Sequence, residues 1–297
     1  MKTILIETDV RGKYEFGCIL KDHLLNFNVA VAPDSCLLVD VEYVVFWRNI
    51  PEYLNSLPNL KALIICGSGI DHLNLDEKNL PNVPIVRLVD SHLKLHVAEY
   101  VEKQIVNCLA LMDEANDYRL NIGIMGYGQI GRYLGQFLRE KSHNVSAWCK
   151  HPKSIADGLI LSGIEELEEF LKNLDVLICA LPLTTETRQI LNARLFNKIK
   201  TSCYLINIGR GGHLNDSDLL EALTSKQILG ACLDVVNSDS TLHSLSDSRK
   251  KELHLTITPH IAGFISAESQ APEAIKRILE LESGVVPQTL VNFNLKY

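Results

Sequence analysis

An apolar run, Asn121-Ile122-Gly123-Ile124-Met125, passes directly into Gly126-Tyr127-Gly128-Gln129-Ile130-Gly131 and then into a helix-like run over 132–140. Strand, glycine turn, helix is the order that opens a parallel βαβ unit. In such a unit the first Gly permits the tight turn and the second lets a pyrophosphate approach the backbone. The third lets helix and strand pack closely, and the helix N-terminus then faces the phosphates. The spacing alone is weak, because Gly-rich turns occur in many loops. With these flanks it predicts a dinucleotide site.

The rest of the chain repeats the alternation. Short apolar runs at 3–6, 43–47, 62–66 and 85–88 precede a long helical stretch over 94–117. After the glycine turn come further strand-like runs at 145–148, 176–180, 203–207, 230–233 and 255–258, and a last helix over 272–283. Most of these runs hold β-branched or aromatic residues and lie between helical segments, as strands of a parallel sheet covered on both faces do. The pattern predicts an α/β chain of two Rossmann-like or flavodoxin-like domains. Residues 1–93 with 269–297 form one, 94–268 form the cofactor domain, and the ligand site lies in the cleft between them. Hinges are expected near 91–94 and 263–268.

Composition excludes several classes. A net charge of -7 does not suggest a nucleic-acid surface. Residues 1–7 reach a carboxylate too soon for a signal peptide, and no apolar run approaches the ~20 residues that span a bilayer. The eight cysteines form no CxxC pair and mostly sit in apolar runs, so reduced buried thiols in a cytoplasmic protein are expected, with no metal site.

The strand after the glycine turn bears on which nicotinamide cofactor fits. An NAD site places an acid at its end to hold the ribose 2′-OH. Here it ends Trp148-Cys149-Lys150-His151-Pro152-Lys153, with no acid before Asp157. Lys150 and Lys153 suit a 2′-phosphate, so NADP(H) is expected over NAD(H). The alternative is that both lysines are solvated surface charges.

Taken in order, several motifs resemble those of the D-2-hydroxyacid dehydrogenases, in particular the glyoxylate/hydroxypyruvate reductase A branch. They are Val45-Phe46-Trp47, Gly67-Ser68-Gly69-Ile70-Asp71-His72-Leu73, Arg87-Leu88-Val89-Asp90, Val97-Ala98-Glu99-Tyr100 and the glycine turn. Leu181-Pro182-Leu183-Thr184, Asn207-Ile208-Gly209-Arg210-Gly211, Leu233-Asp234-Val235 and Thr258-Pro259-His260 follow.

The resemblance implies hydride transfer to the carbonyl carbon of a small 2-keto acid. Arg210 matches the catalytic arginine, and a guanidinium suits a substrate with a carboxylate beside its ketone. His260 matches the acid/base residue that protonates the carbonyl oxygen. Asp239 falls where the family has a Glu that orients the imidazole, one methylene shorter than usual. The segment 240–252 lacks the usual prolines.

By the same resemblance the cofactor is held by Gly126, Tyr127, Gly128, Gln129, Ile130, Gly131, Leu181, Pro182, Ile208, Gly209, Asp234 and Gly263. The substrate carboxylate is shared with Ser68 and Gly69. Trp47 and Arg87 resemble pocket positions, with core packing and a surface ion pair as their alternatives. His213 reads as structural.

Two other functions stay open: a dehydrogenase of bulkier 2-hydroxy acids, and a nicotinamide-sensing binding protein on the same fold. The resemblance also implies a homodimer through the cofactor domain, with 96–117 in the interface.

Overall fold

The computed structural model describes residues 1–7, 10, 12–32, 37–47, 50–67, 80–89, 92–112, 119–149, 160–163 and 165–291. The chain divides into two compact units, Met1–Leu93 with Ile265–Tyr297 and Lys94–Phe264.

The first unit runs β1 (Thr3–Ile6), α1 (Lys13–His23), β2 (Asn28–Val31), β3 (Val41–Phe46), β4 (Ala62–Ile65) and β5 (Ile85–Arg87). The second opens with α2 (Leu93–Leu109) and continues β6 (Asn121–Met125), α3 (Gln129–Glu140), β7 (Asn144–Cys149) and β8 (Ile160–Ser162). It goes on through α4 (Leu167–Leu171), β9 (Val176–Cys179), α5 (Ala193–Phe196), β10 (Tyr204–Asn207) and α6 (Asp216–Thr224). It closes with β11 (Gly230–Leu233), α7 (Asp247–Glu252) and β12 (Leu255–Ile257), and α8 (Ala267–Glu282) then belongs to the first unit.

The first sheet has the order β2-β1-β3-β4-β5, and every strand pair in it is parallel. Its strands are almost entirely buried because both faces are covered. Phe16 and Leu20 of α1 and Ala271, Ala274 and Ile278 of α8 pack with Ile4, Ile6, Val45 and Ile64 on one side. Leu5, Val44, Phe46, Leu63 and Ile65 face the other. This is why these strands read as continuous apolar runs rather than alternating ones.

The second sheet has the order β12-β11-β10-β9-β6-β7-β8 and is also parallel throughout. Counted from β6, this is the doubly wound order 3-2-1-4-5-6 with one strand added. The chain leaves β6 toward β7 on one side and returns to β9 on the other, so the switch point lies between β6 and β9. Ala98, Val101, Ile105 and Cys108 of α2 cover one face against Ile122, Ile124, Ile178 and Ile206. Phe170, Leu195, Phe196 and Leu219 cover the other.

Four details depart from the sequence expectation. β2 and β8 are strands that the apolar-run criterion passed over; both are short, and β8 is only half-buried. α2 ends at Leu109 rather than 117. Met112 N–H already donates to Leu109 C=O, a tighter turn that closes the helix. α8 starts at Ala267 and contains Pro272, because the Ser266 hydroxyl accepts the Ser269 N–H and so caps the helix ahead of the proline. Pro272 then costs only the bond it cannot make to Glu268 C=O.

Six described cysteines, Cys66, Cys108, Cys149, Cys179, Cys203 and Cys232, are buried. Burial pushes the Cys108 and Cys179 thiols up to about 12. Among the described residues no helix is long and apolar enough to cross a membrane.

Candidate active site

Parallel strands end on one edge. In the second unit the segments after β6, β9, β10, β11 and β12 carry Gly126, Leu181, Arg210, Asp234 and His260, so all five stand at the carboxyl edge of one sheet. Ligands of open α/β sheets bind at that edge beside the switch point.

The glycine turn is built for close approach. Gly126 has φ 104°, in the region that disfavours side chains, and a Cβ on it would come 2.6 Å from the Ala180 carbonyl oxygen. A Cβ on Gly131 would collide with the Gly126 carbonyl oxygen. A Cβ on Gly128 would meet nothing within 4 Å. Two glycines are therefore required by the protein's own packing. The third faces open space at the start of α3, where no side chain caps the helix. Exposed Gly128 and Gln129 beside half-buried Ile130 leave the first-turn N–H groups of α3 available to a phosphate. This arrangement fits a dinucleotide pyrophosphate. Tyr127 is buried behind it, its hydroxyl 3.5 Å from Arg139.

Leu181 and exposed Pro182 follow β9. The Thr187 hydroxyl donates to Pro182 C=O at 2.7 Å, and Thr184 N–H donates to the Thr187 hydroxyl at 2.8 Å, so this segment is fixed by its own side chains. The Leu181 carbonyl lies 3.2 Å from where a Cβ on Gly209 would stand, which brings the ends of β9 and β10 together.

Arg210 is half-buried, and its backbone is held from two sides. Asn207, wholly buried at the end of β10, donates its amide to Arg210 C=O at 3.2 Å and accepts Gly209 N–H at 3.1 Å. His213, also wholly buried, accepts Arg210 N–H on Nδ1 at 3.0 Å. The guanidinium Nη1 donates to Gly209 C=O at 2.8 Å. Sequence reasoning gave neither Asn207 nor His213 a part in the site. Two polar side chains flanking an Arg-bearing glycine loop were the only available signal.

His260 is exposed and has φ 57°, a left-handed conformation that costs a non-glycine residue about 1 kcal/mol or more. Asp234 holds it there. The Asp234 carbonyl accepts His260 N–H at 3.0 Å. Its carboxylate accepts Ile261 N–H at 2.7 Å, Ala262 N–H at 2.9 Å and the Thr258 hydroxyl at 2.7 Å. Asp234 itself is 2% exposed. The Thr258 hydroxyl also meets that of Tyr100, from α2, at 2.6 Å. Burial pushes the Tyr100 phenol well above its ordinary range, so it is a neutral hydroxyl at physiological pH. Gly263, half-buried, follows this turn.

Asp239 is exposed and makes no hydrogen bond or ion pair among the described residues. The next segment is tied to the start of α6: the Ser240 hydroxyl donates to the Asp216 carboxylate, which also accepts Thr241 N–H at 3.1 Å. Residues 241–244 form a 3-10 turn and α7 follows, in the segment that lacks the family's usual prolines.

In the first unit, Trp47 follows β3 and Arg87 ends β5, on the carboxyl edge of the other sheet. Trp47 is half-buried and packs against the core, with the site of a Gly67 Cβ 3.7 Å from its indole nitrogen. Arg87 is half-buried, and burial draws its guanidinium below the ordinary range. Ser68, Gly69, Lys150 and Lys153 lie outside the described residues.

A model of the D-isomer specific 2-hydroxyacid dehydrogenase NAD-binding domain matches residues 101–262. The chain belongs to this family. It is an NAD(P)-dependent oxidoreductase of 2-hydroxy acids. It is 32% identical to the glyoxylate/hydroxypyruvate reductase A of Serratia proteamaculans (strain 568), over 86% of this chain and 88% of the relative. It is 31% identical to the enzyme of that name from Yersinia enterocolitica, over 84% and 86%.

Among solved structures, a family member from Klebsiella pneumoniae 342 is 30% identical with TM-score 0.80, covering 98% of this chain and 97% of that one. An NADPH-dependent glyoxylate/hydroxypyruvate reductase from Sinorhizobium meliloti, in complex with NADP and sulfate, is 27% identical with TM-score 0.78 over 100% of both chains. The 2-hydroxyacid dehydrogenase fold and its cofactor turn thus extend over nearly the whole chain.

Proposed function

We propose that this dehydrogenase is an NADPH-preferring reductase of small 2-keto acids, converting glyoxylate to glycolate or hydroxypyruvate to glycerate. The observation that carries the reading is that Arg210 and His260 follow β10 and β12 on one sheet edge, with only β11 between, the Arg210 backbone held by His213 and Asn207 and the His260 turn by Asp234. The names of relatives 31–32% identical over most of the chain support the substrate class.

Arg210 binds the keto-acid carboxylate through two N–H groups, fixing the ketone in one orientation. His260 donates a proton to the carbonyl oxygen as the carbon becomes tetrahedral. Bound reduced nicotinamide supplies the hydride. The uncapped start of α3 and Gly128 hold the pyrophosphate, Leu181, Pro182, Ile208 and Gly209 line the approach to the ring, and Gly263 follows the His260 turn. By the family resemblance Trp47, Ser68, Gly69 and Arg87 would be substrate-binding residues. Lys150 and Lys153 meet the 2′-phosphate, a preference supported by the NADP bound to the Sinorhizobium relative.

The test follows reduced-nicotinamide absorbance with glyoxylate and hydroxypyruvate, using NADPH and NADH in turn. Faster loss with NADPH supports both halves of the reading. Turnover with NADH alone keeps the enzyme and removes the lysine argument.

One observation favours a second reading. Asp239 stands where the family has a longer Glu and makes no hydrogen bond or ion pair among the described residues, and a loosely oriented imidazole is a weaker acid/base. Cofactor binding without turnover of any keto acid would make the chain a nicotinamide sensor.

A homodimer through the cofactor unit is part of the proposal. Val106 on α2 and Tyr133 on α3 are exposed apolar side chains of that unit. Elution as a 33.2 kDa species would remove the dimer. The buried thiols suit a reducing, cytoplasmic compartment.

A further inference from the structure

His213 lies three residues beyond Arg210 and is wholly buried. Its Nδ1 accepts the Arg210 backbone N–H at 3.0 Å, and its own N–H returns to Arg210 C=O at 3.2 Å. A nitrogen that accepts from an amide carries no proton, so the ring is the neutral tautomer protonated on Nε2. The ring lies against the backbone of Gly209, where a Cβ would come 2.8 Å from Nδ1 and 2.9 Å from Cε1. Behind the ring the chain is anchored too, since His213 C=O accepts Leu191 N–H at 2.9 Å.

An apolar residue could fill this volume equally well. What it could not supply is the acceptor. Without one, the Arg210 N–H must either stay desolvated or turn toward water, and turning moves the side chain with it.

We propose that His213 is a positioning residue for the keto-acid reduction: its Nδ1 fixes the Arg210 backbone and, through it, the direction in which the guanidinium meets the substrate carboxylate. The inference rests on the reading of Arg210 as the carboxylate anchor. It divides the work with Asn207, whose amide donates to the Arg210 carbonyl.

Three variants separate this role from packing. His213→Leu fills the volume without an acceptor. His213→Gln puts its amide near the Nε2 position, away from the Arg210 N–H. His213→Asn puts an amide oxygen near the Nδ1 position and keeps the acceptor. The readouts are keto-acid KM and kcat, NADPH Kd, Tm and hydrogen exchange of the Arg210 amide.

In the Leu and Gln variants the keto-acid KM is expected to rise about tenfold or more, NADPH Kd to stay within about twofold, and Arg210 amide exchange to accelerate. Asn is expected to restore KM to within about threefold of the parent and to slow exchange again. Equal KM values and equal Arg210 exchange in Asn and Gln overturn the proposal, and this contrast decides the matter if the Leu variant does not fold. Arg210→Ala runs alongside. If it keeps parental kcat/KM, the Arg210 reading falls. If it loses activity while His213→Gln behaves as the parent, only the His213 inference falls.

Discussion

Asp234 binds the turn that carries His260 with both of its polar groups. Its carbonyl accepts the His260 N–H at 3.0 Å, and its carboxylate accepts the next two N–H groups, from Ile261 and Ala262. A left-handed histidine is thus held by an acid that is almost wholly buried.

Asp234→Asn keeps the shape but replaces one accepting oxygen with a donor, which faces an N–H or the Thr258 hydroxyl. A loss of about 1–3 kcal/mol of stability is expected, with kcat reduced because the His260 turn loosens. Urea denaturation and steady-state kinetics check it. Unchanged values for both would show that the turn holds itself.

His260→Gln removes the proton donor and keeps a polar side chain. The expectation is a fall in kcat of about 10²–10⁴-fold with NADPH affinity unchanged. Cofactor fluorescence titration beside single-turnover kinetics separates the two effects. Parental kcat would place the acid elsewhere.

Gly128 and Gly131 should fail differently. Gly131→Ala collides with the Gly126 carbonyl and is expected to cost about 1–3 kcal/mol of stability. Gly128→Ala meets no protein atom. It should leave stability within about 0.5 kcal/mol, yet weaken NADPH binding about tenfold or more by crowding the pyrophosphate. Thermal melts with and without cofactor distinguish them.

Asp239→Glu adds the methylene by which Asp239 is shorter than the family's Glu. A carboxylate at His260 stabilises the imidazolium, so the alkaline limb of the pH–rate profile should move to higher pH. An unmoved limb would mean that the backbone at 239, and not side-chain length, keeps the carboxylate away.

Acid sensitivity should centre on Glu282 in the first unit. Burial alone would raise its carboxyl, but hydrogen bonds from Lys2, Lys61 and Tyr43 outweigh it and lower the pKa from 4.5 to about 2. The stabilisation is therefore present above about pH 4.5 and is lost as pH falls toward 2. With Lys2 and Lys61 partly exposed, its size is about 1–2 kcal/mol. Glu282→Gln should flatten stability against pH over this range. A parallel acid limb in the variant would assign the effect to other carboxylates.

What the sequence determined was local. The turn at 126–131 is legible because its three glycines recur at a fixed spacing between an apolar strand run and a helix run, although the approach that requires Gly126 is to Ala180, far along the chain. Arg210 and His260 are legible because each sits in a short motif at the end of an apolar run. The apolar runs themselves announced buried parallel strands.

The tertiary structure decided what depends on partners far along the chain. β2 and β8 are too short to stand out as apolar runs and are strands through pairing with β1 and β7. The reversal of strand order between the paired strands β6 and β9 is a matter of long-range pairing. Asp234, expected at the nicotinamide, spends its carboxylate on a turn that begins 24 residues later. The segment after Asp239 is fixed by Asp216, which accepts the Ser240 hydroxyl and the Thr241 N–H from 24 and 25 residues away. Periodicity and spacing record which surface a residue prefers to bury. They do not record which buried donor finds which acceptor, because that choice is made only when distant segments close over one another and every desolvated N–H must be matched.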